Sequence, residues 1–72
     1  MPMLSSTIVI PNMKWLADAD EVQEAAYDCP LTESVEFNLD RHEAILYYTG
    51  EETLEQILMR LAHSGYPASR GS

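Results

Sequence analysis

The sequence contains a single cysteine, Cys29, so no disulfide can form within the chain. A lone thiol is typical of a reducing compartment, although a secreted chain can also carry one cysteine, and we predict a cytoplasmic protein. Long apolar runs are missing as well. The apolar run near the start of the sequence ends at Pro11, so it is too short for a membrane span. It also lacks the preceding positive charge and the length that a signal peptide requires.

Basic residues are scarce, because four Lys and Arg stand against twelve Asp and Glu, which gives a formal net charge of −8. Such a surface repels the phosphates of nucleic acids and anionic lipid headgroups, so we expect no nucleic-acid and no membrane partner. The acidity either serves solubility or faces a protein partner with a basic surface. Both interpretations stay open at this stage.

Seventy-two residues are enough for one domain. We predict a single domain over residues 1–72, with a core from about residue 6 to residue 68. A core of this size supplies little stability, on the order of 3–5 kcal/mol.

The first half of the chain predicts a strand and a helix. The β-branched run Ser6–Ile10 indicates a strand, which Pro11 ends. A helix should follow from Trp15 and close before Pro30, because the residue before a proline is disfavoured in the helical region. The apolar stripe predicted for this helix comprises Trp15, Ala19, Val22, Ala26 and Cys29.

The second half predicts a hairpin, a helix and a short last strand. Ser34–Asn38 alternates apolar and polar residues, and Glu43–Tyr48 follows after a turn as a more hydrophobic inner strand. Thr53–Gln56 has the form of a helix capping box, and Gly65 suits a left-handed helix end. Residues 66–70 can form only a short edge strand, because Pro67 cannot donate to a ladder.

The order strand, helix, strand, strand, helix, short strand predicts an α+β ferredoxin-like fold. In this fold a four-stranded antiparallel sheet carries both helices on one face. An uncovered edge strand presents unpaired backbone groups, so pairing of two copies into a homodimer through an edge strand is a further prediction.

Several stretches of the chain together resemble a known family, the heavy-metal-associated domain. The segments that carry the resemblance are Met13, the helix stripe Ala19, Val22, Ala25 and Ala26, the hairpin from Val35 to Tyr48, Thr53–Ile57, and Gly65–Ala68. The resemblance covers nearly the whole chain and implies the fold of copper chaperones and of the amino-terminal modules of copper-transporting P-type ATPases. It also implies a setting in heavy-metal transport or homeostasis.

The family's metal loop reads Met-x-Cys-x-x-Cys, and this chain differs from that motif at both cysteine positions. Laid on the sequence from Met13, the motif places Trp15 and Asp18 at the two thiol positions. Soft ions such as Cu(I) prefer sulfur, and an indole has no lone pair to offer a metal. We therefore expect no bound cofactor. Met13 and Asp18, with one histidine, are weak candidates for a site that takes a Cu or Zn ion.

Each of these candidate ligands also has a purely structural interpretation. Met13 can pack under the loop, and Asp18 can serve as a first-turn acid that suits the helix dipole. His42 in the hairpin turn and His63 near the end of the second helix are expected at the surface. Cys29 lies at the far end of the first helix, so it cannot complete a site in the loop within one chain. It is expected to be a small core residue, as free cysteines usually are.

Trp15 has two competing interpretations. It can fold down onto the helix stripe and fill the space of the lost metal site, which we favour. Alternatively it can form an exposed apolar patch with Met13, Tyr66 and Pro67, since aromatic residues and Met are enriched in recognition surfaces. The residues expected to rim such a patch are Lys14, Asp18, Asp20 and Glu21.

We therefore predict a protein-interaction or regulatory module of the heavy-metal-associated type, with its cysteine ligands replaced by Trp15 and Asp18. The predicted partner-binding residues are Met13, Lys14, Trp15, Asp18, Glu21 and Tyr66. The alternative is a metal chaperone or transport domain that uses non-thiol or intermolecular ligands. An enzyme is not expected, because no spacing of His, Cys and carboxylate residues points to one catalytic site.

Overall fold

The computed structural model describes residues 2–71. These residues form an α+β ferredoxin-like fold, as the sequence predicts. Its elements are β1 (Leu4–Val9), α1 (Leu16–Tyr27), β2 (Thr32–Asn38), β3 (Glu43–Tyr48), α2 (Glu51–His63) and β4 (Ser69–Arg70). Among these residues no helix combines the length and the hydrophobicity that a membrane crossing requires.

The four strands form one sheet in the order β2-β3-β1-β4, and every neighbouring pair is antiparallel. Strand β3 therefore lies inside the sheet, as its hydrophobicity predicts. It pairs with β1 along its whole length, from Leu4 opposite Tyr48 to Val9 opposite Glu43. This register places the end of β1, and the chain that follows it, beside the turn between β2 and β3.

The core lies between one face of the sheet and the apolar stripes of both helices. Alternate residues of β3 are buried, which is the pattern that a sheet with one covered face requires, and Ile8 is the buried residue of β1. The largest side chains without solvent exposure are Ile8, Ile10, Met13, Val22, Leu46, Ile57 and Leu61. Each contributes about 1.5–3 kcal/mol through its removal from water.

The boundaries differ slightly from the sequence prediction. Strand β1 begins two residues earlier than Ser6, helix α1 starts one residue after Trp15, and β2 begins at Thr32. The predicted stripe of α1 is buried except for Trp15. Strand β4 is the short edge strand that Pro67 suggests, and it pairs with the end of β1.

The predicted capping box at the start of α2 is wrong. The helix begins at Glu51, with Gly50 as its N-cap, so Thr53 lies inside the first turn. Its hydroxyl donates a hydrogen bond to the carbonyl oxygen of Thr49 at 2.6 Å, and its side chain is buried. The hydroxyl therefore satisfies a backbone acceptor before the helix. Because Thr53 lies inside the helix, it does not have the N-cap position that a capping box requires.

The C-terminal end of α2 is closed as predicted. Gly65 has φ +90°, which is strained for a residue with a side chain, and its amide donates to the Ala62 carbonyl at 3.2 Å. The Tyr66 amide donates to the Leu61 carbonyl at 2.8 Å, which completes a Schellman motif. This turn reverses the chain and directs Tyr66 toward the start of α1.

Candidate functional site

The segment that joins β1 to α1, residues 10–16, is called here the Trp15 loop. Its backbone is tied to the sheet and to itself by hydrogen bonds. The Ile10 amide donates to the His42 carbonyl at 2.7 Å, and the Met13 amide donates to the Ile10 carbonyl at 3.0 Å. The Asn12 side chain also donates to the carbonyl of Gly65 at 3.2 Å. The loop is therefore held from the β2-β3 turn on one side and from the end of α2 on the other.

Met13 and His42 anchor the middle of the loop. The Met13 side chain has no exposure, which confirms that it packs under the loop. Its carbonyl oxygen lies 2.9 Å from Nδ1 of His42, so this ring nitrogen carries the hydrogen of that bond. The expectation that His42 is a free surface residue is wrong, because a left-handed backbone at φ 55° turns it toward the loop.

Asp18 closes the loop onto the first turn of α1. Its Oδ2 atom accepts the amide of Lys14 at 3.0 Å and that of Trp15 at 3.1 Å. These bonds, first that from Lys14 and then those from the Tyr66 hydroxyl and Trp15, hold the pKa of the Asp18 carboxyl below its ordinary value. The structure therefore supports the interpretation of Asp18 as a first-turn helix acid.

Tyr66 completes the closure from the other end of the chain. Its hydroxyl lies 2.8 Å from Oδ1 of Asp18 and also contacts Oε2 of Glu21. The two carboxylates therefore share the single hydrogen of the Tyr66 hydroxyl. Hydrogen bonding to Glu21, and then to Asp18, raises the pKa of the Tyr66 phenol well above its ordinary range.

Trp15 does not fold onto the helix stripe, contrary to the interpretation that we favoured from the sequence. It is the N-cap of α1, with an extended backbone, so its side chain leaves the helix before the buried face begins. The side chains of Trp15 and Leu16 are 73% and 75% exposed. The exposure of Leu16 is not predicted in the sequence analysis. Its position indicates it, because this apolar residue lies beside the predicted helix stripe and not on it.

The exposed patch is therefore smaller than the one that the sequence suggested. Met13 is 0% and Tyr66 8% exposed, so both predicted partner-binding residues support the loop from below rather than facing solvent. Trp15 and Leu16 form the exposed apolar pair. The charged residues predicted around it, namely Lys14, Asp18, Asp20 and Glu21, lie at or beside the start of α1.

The residues of this loop do not fit a soft metal ion. Both Asp18 oxygens already accept hydrogen bonds, and the indole of Trp15 has no metal-binding lone pair. The Met13 thioether is buried in the core. In residues 2–71 no three side chains of His, Cys, Asp or Glu gather into a group that could hold a metal ion.

Cys29 lies away from this loop, beyond the C-terminal end of α1. Its thiol is free and buried, as predicted, and burial raises its pKa. A cavity of about 370 Å³ opens beside it, and the exposed residues His63 and Met59 of α2 line the same cavity. Neither this cysteine nor His63 is brought to the Trp15 loop.

The architecture defines the class of domain. A ferredoxin-like sheet whose first strand passes through a short loop into α1, with the end of α2 folded against that loop, is the fold of heavy-metal-associated domains. The chain is similar to oxidized MerP from Ralstonia metallidurans CH34, with a TM-score of 0.89 and 19% sequence identity over 99% of this chain and 100% of that chain.

Two N-terminal domains of other proteins have the same fold. The N-terminal domain of PacS from Synechocystis PCC6803 gives a TM-score of 0.84 at 19% identity, covering 96% of this chain and 98% of that chain. The apo N-terminal domain of the zinc(II) ATPase ZiaA gives 0.81 at 11% identity, covering 97% and 100%. No protein-family model and no curated protein sequence matches the chain.

Proposed function

We propose that this domain binds another protein through Trp15 and Leu16, as a heavy-metal-associated fold adapted to recognition. The observation that carries the proposal is the exposure of these two adjacent apolar side chains on a loop whose backbone is held from both sides. A large aromatic side chain on a preorganised backbone is the usual centre of a binding hot spot, because little ordering entropy is lost on binding.

The setting that we propose is heavy-metal homeostasis. Its support is that proteins with this fold act on metals. They include the N-terminal domain of a zinc(II) ATPase and MerP, the periplasmic protein of the bacterial mercury detoxification system. The partner would then be another component of such a system. Neither an enzymatic activity nor a bound cofactor is part of the proposal, and the cytoplasmic location stays a prediction.

The proposed partner has a basic surface around an apolar centre. Asp20 and Glu21 are exposed in the first turns of α1, close to the Trp15 and Leu16 pair, and Lys14 is the single basic residue of the loop. With a net charge of −8, the whole domain attracts such a partner at long range. A homodimer through the edge strands β2 or β4 stays a separate prediction.

The proposal is tested by photo-crosslinking followed by binding measurements. A photoreactive amino acid replaces Leu16 in one variant and Leu31, which is also an exposed leucine, in the control. We expect a crosslinked protein from the source cells only with the Leu16 variant. Once this protein is purified, Trp15→Ala should weaken its binding by about thirtyfold or more, as truncation of a hot-spot residue does.

Leu31→Ala provides the matched control for the binding measurement. It removes an exposed apolar side chain of the same domain at the opposite end, and we expect it to leave the dissociation constant within about twofold. Equal losses for Trp15→Ala and Leu31→Ala, or a crosslink that forms only at position 31, would contradict the proposal. A weaker affinity at high salt would support the basic surface of the partner.

A further inference from the structure

Asp18 occupies a position that joins three segments of the chain. Its carboxylate accepts the Lys14 and Trp15 amides of the loop, and the hydroxyl of Tyr66, which lies 48 residues away in sequence. We propose that Asp18 is a positioning residue that closes the Trp15 loop without any metal ion, so that the pair of Trp15 and Leu16 is displayed whenever the domain is folded and Asp18 is ionised. This inference rests on the proposed function for the meaning of that display, but the closure itself is measurable alone.

The geometry explains why a carboxylate is needed at this position. Lys14 and Trp15 lie just before the first residue of α1, so their amides have no partner within the helix, and Asp18 has the third helical position, from which a capping-box side chain reaches back to the N-cap amide. Oδ2 of Asp18 reaches backward and satisfies two consecutive amides before the first turn. A negative charge is also favoured there by the helix dipole.

The same arrangement replaces a metal-mediated link by a direct one. In a Met-x-Cys-x-x-Cys loop the two thiol positions correspond to Trp15 and Asp18 of this chain. Here the two positions are joined by the hydrogen bond from the Trp15 amide to Oδ2 of Asp18 at 3.1 Å. The loop therefore acquires its closed form on folding. A metal ion would find no free ligand atom on Asp18, because both of its carboxylate oxygens already accept hydrogen bonds.

The closure of the loop then depends on the protonation state of the Asp18 carboxyl and not on a metal ion. The groups that face the Asp18 carboxylate are Lys14, Tyr66 and, through the Tyr66 hydroxyl, Glu21. Because the folded-state pKa of Asp18 is lowered, the contribution of the closure is fully present above the ordinary pKa of an aspartate. It is lost as the pH falls through the lower folded-state value.

The test compares two substitutions that remove the same charge. Asp18→Asn removes the carboxylate that accepts the two amides, whereas Glu21→Gln removes the other carboxylate beside Tyr66 and leaves those bonds intact. We expect Asp18→Asn to speed the exchange of the Lys14 and Trp15 amide protons with water by roughly three- to tenfold, measured by NMR, because charge-assisted bonds become weaker neutral ones. Glu21→Gln should leave both rates unchanged.

Two further arms use the unmodified protein. A pH titration followed at the Lys14 and Trp15 amide signals should show one transition, with a midpoint below the ordinary pKa of aspartate. Addition of Cu(I) under reducing conditions, or of Zn(II), should leave these signals and their exchange rates unchanged. A metal-induced slowing of exchange, or equal acceleration in both variants, would overturn the inference.

The outcomes separate this inference from the proposed function. If Asp18→Asn loosens the loop but no protein crosslinks at position 16, the closure stands and the recognition role fails. If the protein partner is found but Asp18→Asn leaves the amide exchange unchanged, recognition stands and the closure by Asp18 fails. The pH titration decides the inference even if the Asp18→Asn variant does not fold.

Discussion

The two ends of α1 both expose apolar side chains, but they differ in how these side chains are arranged along the chain. The helix has 12 residues, so its ends lie about 18 Å apart at 1.5 Å per residue. At the N-terminal end, Trp15 and Leu16 project from a loop that His42, Asp18 and Tyr66 fasten with hydrogen bonds. At the C-terminal end the exposed apolar residues are Tyr27, Leu31 and, from α2, Met59.

The backbone at the C-terminal end is held as well, because the Thr32 hydroxyl donates to the Ala26 carbonyl at 2.7 Å and the Thr49 amide donates to the Leu31 carbonyl at 3.1 Å. The ion pair at this end is weak. Asp28 and Arg60 form an ion pair at 4.0 Å, and both side chains are mostly exposed, so the pair adds little stability. Single exposed apolar residues are common on protein surfaces and need no function. The comparison teaches that exposure alone does not identify a site. Trp15 and Leu16 are neighbours in the chain and are more exposed than Tyr27, Leu31 or Met59, and this adjacency is the stronger indication.

The largest effect is expected from restoring the two thiols that the loop lacks. The double substitution Trp15→Cys and Asp18→Cys should raise the affinity for Cu(I) by on the order of a thousandfold or more, because two thiolates on this fold offer soft ligands. The measurement is a Cu(I) titration against a competing chelator, under reducing conditions.

The matched control places serine at the same two positions. Serine is similar in size to cysteine, but its side chain offers a hard oxygen atom in place of the soft sulfur. We expect the serine pair to bind no more Cu(I) than the unmodified protein does. A gain in both double variants would mean that residues outside the loop hold the ion. Tight Cu(I) binding by the unmodified protein would contradict the conclusion that Trp15 and Asp18 do not fit the metal.

The next effect concerns stability and compares two methionines, one from each end. Met13→Ala removes a fully buried side chain under the loop and should lower the free energy of unfolding by about 2–5 kcal/mol. Met59→Ala removes a side chain that is 62% exposed and should change it by less than about 0.5 kcal/mol. Urea denaturation followed by circular dichroism measures both.

Because Met13→Ala can unfold so small a domain, Met13→Leu provides the second variant. This nearly volume-conserving change should cost less than about 1.5 kcal/mol. Equal losses for Met13→Ala and Met59→Ala would show that the loop end is no more strongly packed than the other end.

The smallest effect is expected from the histidines. His42→Ala removes the ring hydrogen bond to the Met13 carbonyl and should lower the free energy of unfolding by about 1 kcal/mol. His63→Ala, on the exposed side of α2, should change it by less than about 0.5 kcal/mol. The Met13 and Lys14 amide shifts in NMR spectra should move only in the first variant. Shifts of equal size in both would contradict the anchoring role of His42.

Much of the fold could be predicted from local patterns. The period-two alternation in Glu43–Tyr48 correctly gave the bounds of β3. The apolar spacing of Leu54, Ile57, Leu58 and Leu61 predicts one face of α2, and all four are buried except Leu58, which is half-buried. Gly65 correctly marked the helix end, because few other residues adopt its φ. The capping box at Thr53 failed, because the same hydroxyl can donate to a preceding carbonyl as well as accept from a following amide.

The candidate site was harder to predict. The sequence correctly located the loop, which follows from the spacing between strand and helix, whereas the burial of Met13 was only one of the roles that it left open. It gave the wrong orientation for Trp15, because one residue at a helix start decides whether a side chain joins the buried face. The role of His42 could not be found in advance, because its contact with Met13 joins residues 29 positions apart.

By itself the sequence determined the order of the elements, the core of the sheet and helices, the acidic charge, and the absence of cysteine from the loop. These properties depend on residue types and on spacings within single segments. Only the tertiary structure decided that Asp18 and Tyr66 meet, that Tyr66 and Met13 are buried, and that Trp15 and Leu16 face solvent. Those outcomes depend on how the end of α2 and the β2-β3 turn pack against the loop, which no local pattern encodes.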